Sequence, residues 1–161
     1  MEKEGNELLF SLIDKYIGKK AIVLEIGCGS GELLYKLSER YDCYWRGIDP
    51  FSLEKKDNKI QILNISAEDI DSLKENYDII FSIRSFHHIK NINEFIKGLR
   101  KKLKKNGVFI LVDWKKGYDT GISEKYFSLY EIKNLFSESD FFIIESGEKE
   151  TVFYIIIKSL L

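Results

Sequence analysis

The feature that most constrains this fold is a glycine-rich loop that directly follows a short apolar run. The sequence over Ala21–Gly31 is AIVLEIGCGSG, and a helical pattern comes next. This order predicts a strand, a tight turn and a helix N-terminus. Glycine permits positive φ angles and lets a ligand approach the backbone closely. Three glycines in five residues therefore favour a binding loop for a polar ligand over a simple tight turn.

The spacing of the glycines indicates which ligand the loop binds. A dinucleotide loop has the pattern G-x-G-x-x-G, but the third glycine here is Gly31 and the next position is Glu32. This weakens an NAD interpretation without excluding it. A carboxylate at Glu25 is unfavourable beside a pyrophosphate, whereas it suits a ligand with an amino group and a sulfonium. The loop therefore favours S-adenosylmethionine.

Several further motifs share an order along the chain with the glycine loop. They are Leu24–Gly31, Gly47–Asp49, Ser66–Ile70, Tyr77–Ser82, Phe86–Ile89 and Leu103–Ile110. In this order the chain resembles the class I S-adenosylmethionine-dependent methyltransferases, and more narrowly the small type 11 methyltransferase family. The resemblance extends from Ala21 to about Trp114. It implies a Rossmann-like fold, S-adenosylmethionine as the cofactor and S-adenosylhomocysteine as the product.

Composition limits the class of protein. A chain of 161 residues with 44% hydrophobic and 32% charged residues is typical of one globular domain. The net charge of −1 gives no general argument for a nucleic-acid or membrane partner. Cys28 and Cys43 indicate reduced cysteines rather than a disulfide framework, and without clustered His or Cys ligands we expect no metal site. Without an apolar run of about 20 residues, we expect a cytoplasmic protein.

Short apolar runs alternate with helical patterns, as in a parallel sheet covered by helices on both faces. The predicted strands are Ala21–Ile26, Cys43–Asp49, Ile60–Ile65, Tyr77–Ile83 and Val108–Asp113. The predicted helices are Gly31–Arg40, a short one near Ser52–Lys56, a short one near Glu68–Lys74, Asn91–Lys104 and Ser128–Ser137. Asn91 and Ser128 each precede a glutamate by three residues, the pattern of a capping box.

The C-terminal part predicts a hairpin. Phe141–Glu145 and Val152–Ile157 are joined by too few residues for a crossover, so they pair antiparallel. The resemblance implies such a strand beside an otherwise parallel sheet. We therefore expect an α/β, Rossmann-like, doubly wound sheet of seven strands, mostly parallel with an antiparallel C-terminal hairpin strand. We expect one domain over residues 1–161, with a helical extension over 1–20 and the core over 21–161.

Ligands of such sheets bind at the carboxyl ends of the strands. We expect the glycine loop to hold the methionyl group, and Asp49 to accept the ribose hydroxyls unless it only forms the turn with Pro50. The resemblance places the adenine contacts after the third strand, although those acids also suit a helix N-terminus. The predicted cofactor-binding residues are Glu25, Gly27, Cys28, Gly29, Gly31, Asp49, Pro50, Ser66, Ala67, Glu68 and Ser82.

The methyl acceptor is expected where the fourth and fifth strands end. His87 is the candidate general base, because a histidine titrates near neutral pH, although it also suits a packing role. The predicted pocket residues are Arg84, His88, Trp114 and Tyr118, with the loop Lys115–Lys125 as a flap that moves about Gly117 and Gly121. Arg84 suits an acidic acceptor, and Trp114 offers an aromatic face or packs at the core edge.

Three functions remain open from the sequence. The first is a methyltransferase of a small-molecule acceptor, the second an RNA or protein methyltransferase with a partner, and the third a cofactor-binding subunit without chemistry. Absence of an Asn/Asp-Pro-Pro-Tyr/Phe motif argues against nucleic acid, and the basic run Arg100–Lys105 suits a solvated helix end. The minimal lid over the site favours a homodimer or a bulky partner.

Overall fold

The computed structural model describes residues 2–117 and 125–160, which form four α-helices, two 3₁₀ helices and eight strands. The α-helices are α1 Glu2–Tyr16, α2 Glu32–Arg40, α3 Ile92–Lys102 and α4 Leu129–Ser137. The strands are β1 Ile22–Ile26, β2 Tyr44–Ile48, β3 Lys55–Lys56, β4 Ile60–Leu63, β5 Tyr77–Ile83, β6 Leu103–Trp114, β7 Phe141–Lys149 and β8 Val152–Ser159. The 3₁₀ helices are Ala67–Ser72 and Phe86–His88.

One sheet contains all the strands in the order β3-β4-β2-β1-β5-β6-β8-β7. The five strands from β4 to β6 run parallel, and β8 pairs antiparallel with β6 and β7. The expected fold class, with its antiparallel C-terminal hairpin, is confirmed. Because strand order reverses beside β1, a crevice forms where β1, β2 and β5 end.

Helices cover the two faces of the sheet with separate cores. On one face, α1 and α2 bury side chains such as Leu9, Ile13 and Leu34 against the strands. On the other, α3 and α4 bury Phe95 and Phe136. Because successive strand residues point to opposite faces, β1 contributes to both cores. Among the described residues, no helix has the length and apolar character required to cross a membrane.

The strand count is the main correction to the predicted fold. The sheet has eight strands instead of seven, because Lys55–Lys56 pairs antiparallel with β4 where a short helix near Ser52–Lys56 was expected. The cause is the turn after it: Asp57 Oδ1 accepts the backbone N–H groups of Lys59 and Ile60 at 3.0 and 2.9 Å. An aspartate that bonds to the following backbone reverses the chain there.

Helix ends follow the capping signals closely. Ser128 forms the full capping box with Glu131, and the Asn91 side chain accepts the Glu94 N–H at 3.2 Å. However, α3 ends at Lys102 rather than Lys104, because Leu103 is already extended and begins β6. The predicted helix near Glu68–Lys74 is a 3₁₀ helix over Ala67–Ser72.

Candidate functional site

The glycine loop, residues 27–31, turns the chain from β1 into α2. Gly27, Gly29 and Gly31 all have positive φ angles, and Gly31 is the N-cap of α2. The backbone N–H of Gly27 donates to the Ile48 carbonyl at 2.9 Å, which holds the loop against the end of β2. At Gly29 an added Cβ would meet no atom within 4 Å. The backbone there faces open space, as a close ligand contact requires.

Glu25 is a buried carboxylate beneath this loop. The residue is 3% exposed, and its Oε1 has no hydrogen-bond partner among the described residues. Burial raises the pKa of Glu25 from 4.5 to about 8, Asp49 adds to the rise and Arg84 opposes it. A buried polar atom without a partner is costly. The site therefore fits a ligand that brings a charged donor, such as the amino group of S-adenosylmethionine.

A cavity of about 330 Å³ adjoins the glycine loop. Its wall includes Glu25 and Gly29 from the β1 side, Lys36 from α2, Asn6 from α1 and Arg84 from the end of β5. The cavity thus brings together residues from the ends of β1 and β5, from α2 and from the N-terminal helix α1. Its charged side chains are two carboxylic acids, Glu25 and Glu32, and two cations, Lys36 and Arg84, beside the open backbone of the loop.

Asp49 follows β2 and uses both carboxylate oxygens locally. Oδ2 accepts the Gly29 N–H at 3.0 Å, and Oδ1 accepts the Phe51 N–H at 2.9 Å. The residue therefore forms the turn and also supports the glycine loop. Each oxygen has a second lone pair, so Asp49 can still accept a ligand hydroxyl. Pro50 is exposed, and its carbonyl accepts Asn64 Nδ2 at 3.1 Å.

The predicted adenine segment lies beside this turn. The Asp49 N–H donates to the Leu63 carbonyl at 3.2 Å, which joins the end of β4 to the end of β2. Ser66 then precedes the 3₁₀ helix, and its hydroxyl does not cap it. Ala67 is buried and Glu68 is half-buried. The structure therefore places the segment at the expected edge, and its contact with adenine stays a prediction.

Two predicted cofactor residues direct their side chains into the protein. The Cys28 thiol lies against Gly47, and burial raises its pKa from 9.0 to about 12. Ser82 is fully buried, and its hydroxyl lies 2.8 Å from the Ser85 hydroxyl. Neither side chain is placed to act on a ligand as an exposed group. Cys28 lines the cavity as part of the glycine loop.

His87 lies in the histidine turn, Phe86–His88, and is paired with a buried aspartate. His87 Nδ1 is 2.9 and 3.0 Å from the two carboxylate oxygens of Asp113, and the His87 backbone N–H donates to Asp113 at 3.1 Å. The side chains are only 3% and 2% exposed. The imidazole packs against Tyr126 at 4.8 Å between ring centroids. Asp113 therefore fixes the orientation of the ring.

No functional role was predicted for Asp113, although it ends a predicted strand. The available signal was the position itself, because polar side chains at carboxyl ends of parallel strands meet at one edge. The pairing with His87 spans 26 positions and has no local sequence pattern. Asn6 was likewise missed, since it lies in α1 and reaches Arg84 across the chain.

The predicted acceptor residues do not all line one cavity. Arg84 lines the cavity beside the glycine loop, whereas His87, His88 and Trp114 do not. His88 is exposed, with its ring centroid 4.1 Å from that of His87. Trp114 is half-buried and packs against the core on the α1 face. Tyr118 and Gly121 lie outside the described residues.

The parallel sheet with a reversed order at β1, a C-terminal antiparallel hairpin and a glycine loop at the crevice define a Rossmann-like methyltransferase fold. Solved structures share it. The S-adenosylmethionine-dependent methyltransferase from Aquifex aeolicus aligns with a TM-score of 0.73 and 15% identity, covering 92% of this chain and 87% of its own. The N-methyltransferase NodS from Bradyrhizobium japonicum WM9 aligns with a TM-score of 0.74 and 17% identity, covering 98% and 96%.

The chain belongs to the methyltransferase domain family, whose sequence model matches residues 1–146. This confirms the resemblance to class I S-adenosylmethionine-dependent methyltransferases of the type 11 kind, and with it S-adenosylmethionine as the cofactor. The ubiquinone biosynthesis O-methyltransferase of Rickettsia akari (strain Hartford) is 31% identical over 114 residues, or 64% of this chain. That of Pelagibacter ubique (strain HTCC1062) is 29% identical over 100 residues, or 58%. The chain spans 45% and 42% of these relatives' lengths.

Proposed function

We propose that this protein transfers the methyl group of S-adenosylmethionine to a hydroxyl of a small-molecule acceptor, with His87 as the general base. The observation that carries the proposal is the His87–Asp113 pair where β5 and β6 end, beside the crevice. The names of the relatives from Rickettsia akari and Pelagibacter ubique specify O-methylation in ubiquinone biosynthesis, which supports an oxygen nucleophile.

The cofactor is held, in this proposal, by residues of the glycine loop and the adjoining strand ends. Glu25 Oε1, which lacks a partner among the described residues, accepts from the amino group. The open backbone at Gly29 adjoins the methionyl group, and Asp49 accepts the ribose hydroxyls. The segment Ser66–Glu68 contacts adenine. When bound, S-adenosylmethionine supplies a methyl group on a positively charged sulfur, already activated for transfer to a nucleophile.

His87 removes the proton that the acceptor hydroxyl loses. In the neutral imidazole, the bond to Asp113 holds the proton on Nδ1 and leaves the lone pair on Nε2. The proton of the acceptor hydroxyl would pass to Nε2 of His87, while S-adenosylmethionine, when bound, would supply the methyl group and leave as S-adenosylhomocysteine. A well-placed general base contributes roughly 10²–10⁴ to the rate. Correct alignment of the two reactants supplies much of the remainder.

Nucleic acid is not the proposed acceptor. The Arg100–Lys105 run makes bonds within the protein, since Lys101 Nζ is 2.9 Å from Asp71 Oδ2 and Lys104 Nζ is 3.2 Å from Asp78 Oδ2. The Asp78 carboxylate also accepts the Ile22 N–H at the amino end of β1. The run therefore lies at the sheet edge opposite the crevice.

A second copy of the chain that completes the acceptor side of the site is also part of the proposal. Native mass spectrometry tests whether the protein forms this homodimer.

The test compares His87→Gln with the unmodified protein, using methyl-labelled cofactor and a protein-free metabolite extract. We expect label in a small molecule, and a loss of turnover of roughly 100-fold or more in His87→Gln. Cofactor affinity, measured by calorimetry, should stay within about threefold. A second variant, Asp113→Asn, tests whether Asp113 positions His87. Its control is Asp71→Asn, which removes an exposed carboxylate that pairs with Lys101.

Two results would contradict the proposal. Turnover that survives in His87→Gln would show that no base is needed at this position. Tight cofactor binding without turnover on any extract would instead favour a cofactor-binding subunit that lacks chemistry of its own. A shifted pH profile in Asp113→Asn, absent in Asp71→Asn, would support the role of Asp113 in positioning His87.

A further inference from the structure

Arg84 has an unusual backbone conformation directly after β5. Its φ angle is 54°, in the left-handed region that residues with a side chain rarely adopt. The Arg84 N–H donates to the Val112 carbonyl of β6 at 2.8 Å, which holds the backbone in this state. Such strain is concentrated at functional sites, where the surrounding structure maintains it. The conformation therefore marks Arg84 as a candidate functional residue.

The Arg84 guanidinium lies against helix α1. Nη2 donates to Asn6 Oδ1 at 2.9 Å, and a Cβ added at Gly5 would lie only 2.6 Å from Nη1. Glycine is a poor residue for the interior of a helix, where alanine is the better helix former. Gly5 therefore has a steric role, because a residue without a side chain leaves room for the guanidinium.

The cavity beside the glycine loop contains complementary charges for a zwitterion. Glu25 contributes a buried carboxyl group whose Oε1 has no partner among the described residues, and Arg84 contributes a guanidinium to the same wall. The other two charged side chains of the wall, Glu32 and Lys36, form an ion pair with each other at 3.4 Å. An α-amino acid group carries an ammonium and a carboxylate on one carbon. A guanidinium has five N–H donors in a planar fork and binds a carboxylate through two parallel bonds, which suits it to an α-carboxylate.

We propose that Arg84, positioned by Asn6, binds the α-carboxylate of the methionyl group of the cofactor, so that α1 forms the wall at this end of the site. This inference rests on the proposed cofactor site at Glu25 and Gly29. It replaces the acceptor-binding role that the sequence predicts for Arg84. Cofactor binding then stabilises α1, because the bound carboxylate fixes the guanidinium that donates a hydrogen bond to Asn6 of this helix.

The position of Arg84 favours the cofactor over an acidic acceptor. Arg84 shares a cavity with Glu25 and the glycine loop, whereas His87 and Trp114 lie outside that cavity. An acceptor carboxylate bound at Arg84 would occupy the space beside Glu25 that the amino group requires. The amino and carboxylate groups of one ligand satisfy both side chains without this conflict.

The experiment measures binding by calorimetry for three ligands that differ in the amino-acid portion. S-adenosylmethionine has both charged groups, its decarboxylated form keeps only the amine, and 5′-methylthioadenosine has neither. We expect the unmodified protein to prefer S-adenosylmethionine over the decarboxylated form. Arg84→Gln should weaken the binding of S-adenosylmethionine by about 10- to 100-fold. The affinity for the decarboxylated ligand should change by no more than about threefold, so that the preference disappears.

Two variants separate the proposed role from general damage to the protein. Gly5→Ala should selectively weaken the binding of S-adenosylmethionine, because the added methyl group displaces the guanidinium. Helix α1 itself should keep or gain stability, since alanine is a better helix former than glycine. Arg40→Gln is the matched control: Arg40 lies over the Phe10 ring of α1 at 4.4 Å, outside the cavity. We expect it to leave all three affinities unchanged.

The ligand series distinguishes failure of this inference from failure of the cofactor site. Equal losses for all ligands in Arg84→Gln, or no preference in the unmodified protein, would overturn the role of Arg84 while the cofactor site stands. If Arg84→Gln leaves the cofactor affinity unchanged but increases the KM for the acceptor, Arg84 binds the acceptor instead of the cofactor. Binding of 5′-methylthioadenosine as strongly as S-adenosylmethionine, with no effect of Glu25→Gln, would overturn the methionyl site itself. In hydrogen exchange, S-adenosylmethionine should protect α1 more than the decarboxylated ligand does.

Discussion

Ser85 Oγ donates a hydrogen bond to the carbonyl oxygen of Ile26 at 2.9 Å, which joins the start of the histidine turn to the last residue of β1. The Ser82 hydroxyl, 2.8 Å away, donates in turn to Ser85. The contact is tight, since a Cβ at Gly27 would lie 2.6 Å from Ser85 Cβ. The glycine loop and the segment that carries His87 are therefore held in one fixed arrangement.

Removal of the Ser85 hydroxyl should destabilise the protein. Ser85→Ala leaves the Ile26 carbonyl and the buried Ser82 hydroxyl without this partner, which costs about 1–3 kcal/mol. Urea unfolding measures the loss. Ser72→Ala is the control, because its exposed hydroxyl also bonds to a backbone carbonyl, that of Asp69 at 2.7 Å. Equal effects of the two substitutions would show that the buried link has no special importance.

The buried Glu25 carboxyl should make the stability of the free protein depend on pH. Its pKa is about 8 in the folded chain and 4.5 when unperturbed. Between these values the unfolded state loses a proton that the folded state keeps, so the free energy of unfolding falls as pH rises. The difference corresponds to roughly 5 kcal/mol at most. Glu25→Gln should remove this slope. At pH values above about 8, the variant should have a higher melting temperature than the unmodified protein.

Cofactor binding should depend on the same proton in the opposite sense. An ammonium beside Glu25 favours the carboxylate, so binding below about pH 8 releases a proton and affinity increases with pH. Calorimetry in two buffers with different ionisation enthalpies counts the released proton. Glu25→Gln should bind more weakly, with no pH dependence from this group. An affinity that stays constant from about pH 6 to 8 in the unmodified protein would contradict the assignment.

The residues that could be predicted from sequence are those within one contiguous motif. Glu25 and the glycine loop occupy seven successive positions, and the capping box at Ser128 is equally local. In contrast, Arg84 and Asn6 are 78 positions apart, and only the packing of α1 against the sheet brings them together. The short strand β3 differs from the prediction for a related reason, since the Asp57 turn brings Lys55–Lys56 against β4, with which it pairs.

Substitution of Asp49 tests whether this carboxylate does more than form a turn. Asp49→Ala should weaken S-adenosylmethionine by roughly 1.5–3 kcal/mol, the range for hydrogen bonds to a charged group. Asp57→Ala is the matched control, because Asp57 also accepts two backbone N–H groups in a turn but lies away from the crevice. If both variants bind the cofactor like the unmodified protein, Asp49 has only a structural role.

Substitution at Gly29 tests whether the glycine loop adjoins the ligand. Gly29→Val adds a side chain to the open backbone face and strains a φ angle of 54°. We expect a larger loss of cofactor affinity than in Asp49→Ala. Asn106→Val controls for strain, because Asn106 is exposed and also has a positive φ angle, 67°. Wild-type affinity in Gly29→Val would exclude the loop as the cofactor site.

The basic run of α3 and β6 should not deliver RNA to the crevice. Lys101 and Lys104 are paired with Asp71 and Asp78, and Lys102 donates to the Leu73 carbonyl, all at the edge opposite the crevice. Exchange of Lys101, Lys102, Lys104 and Lys105 together for glutamine should therefore leave methylation of small molecules unchanged. Incubation with labelled cofactor and either total RNA or metabolite extract provides the comparison.

Label in RNA that disappears in the fourfold variant would favour an RNA methyltransferase. Label in RNA that persists would place the RNA on another surface and still reject a small-molecule acceptor. Circular dichroism of the variant excludes unfolding as the cause.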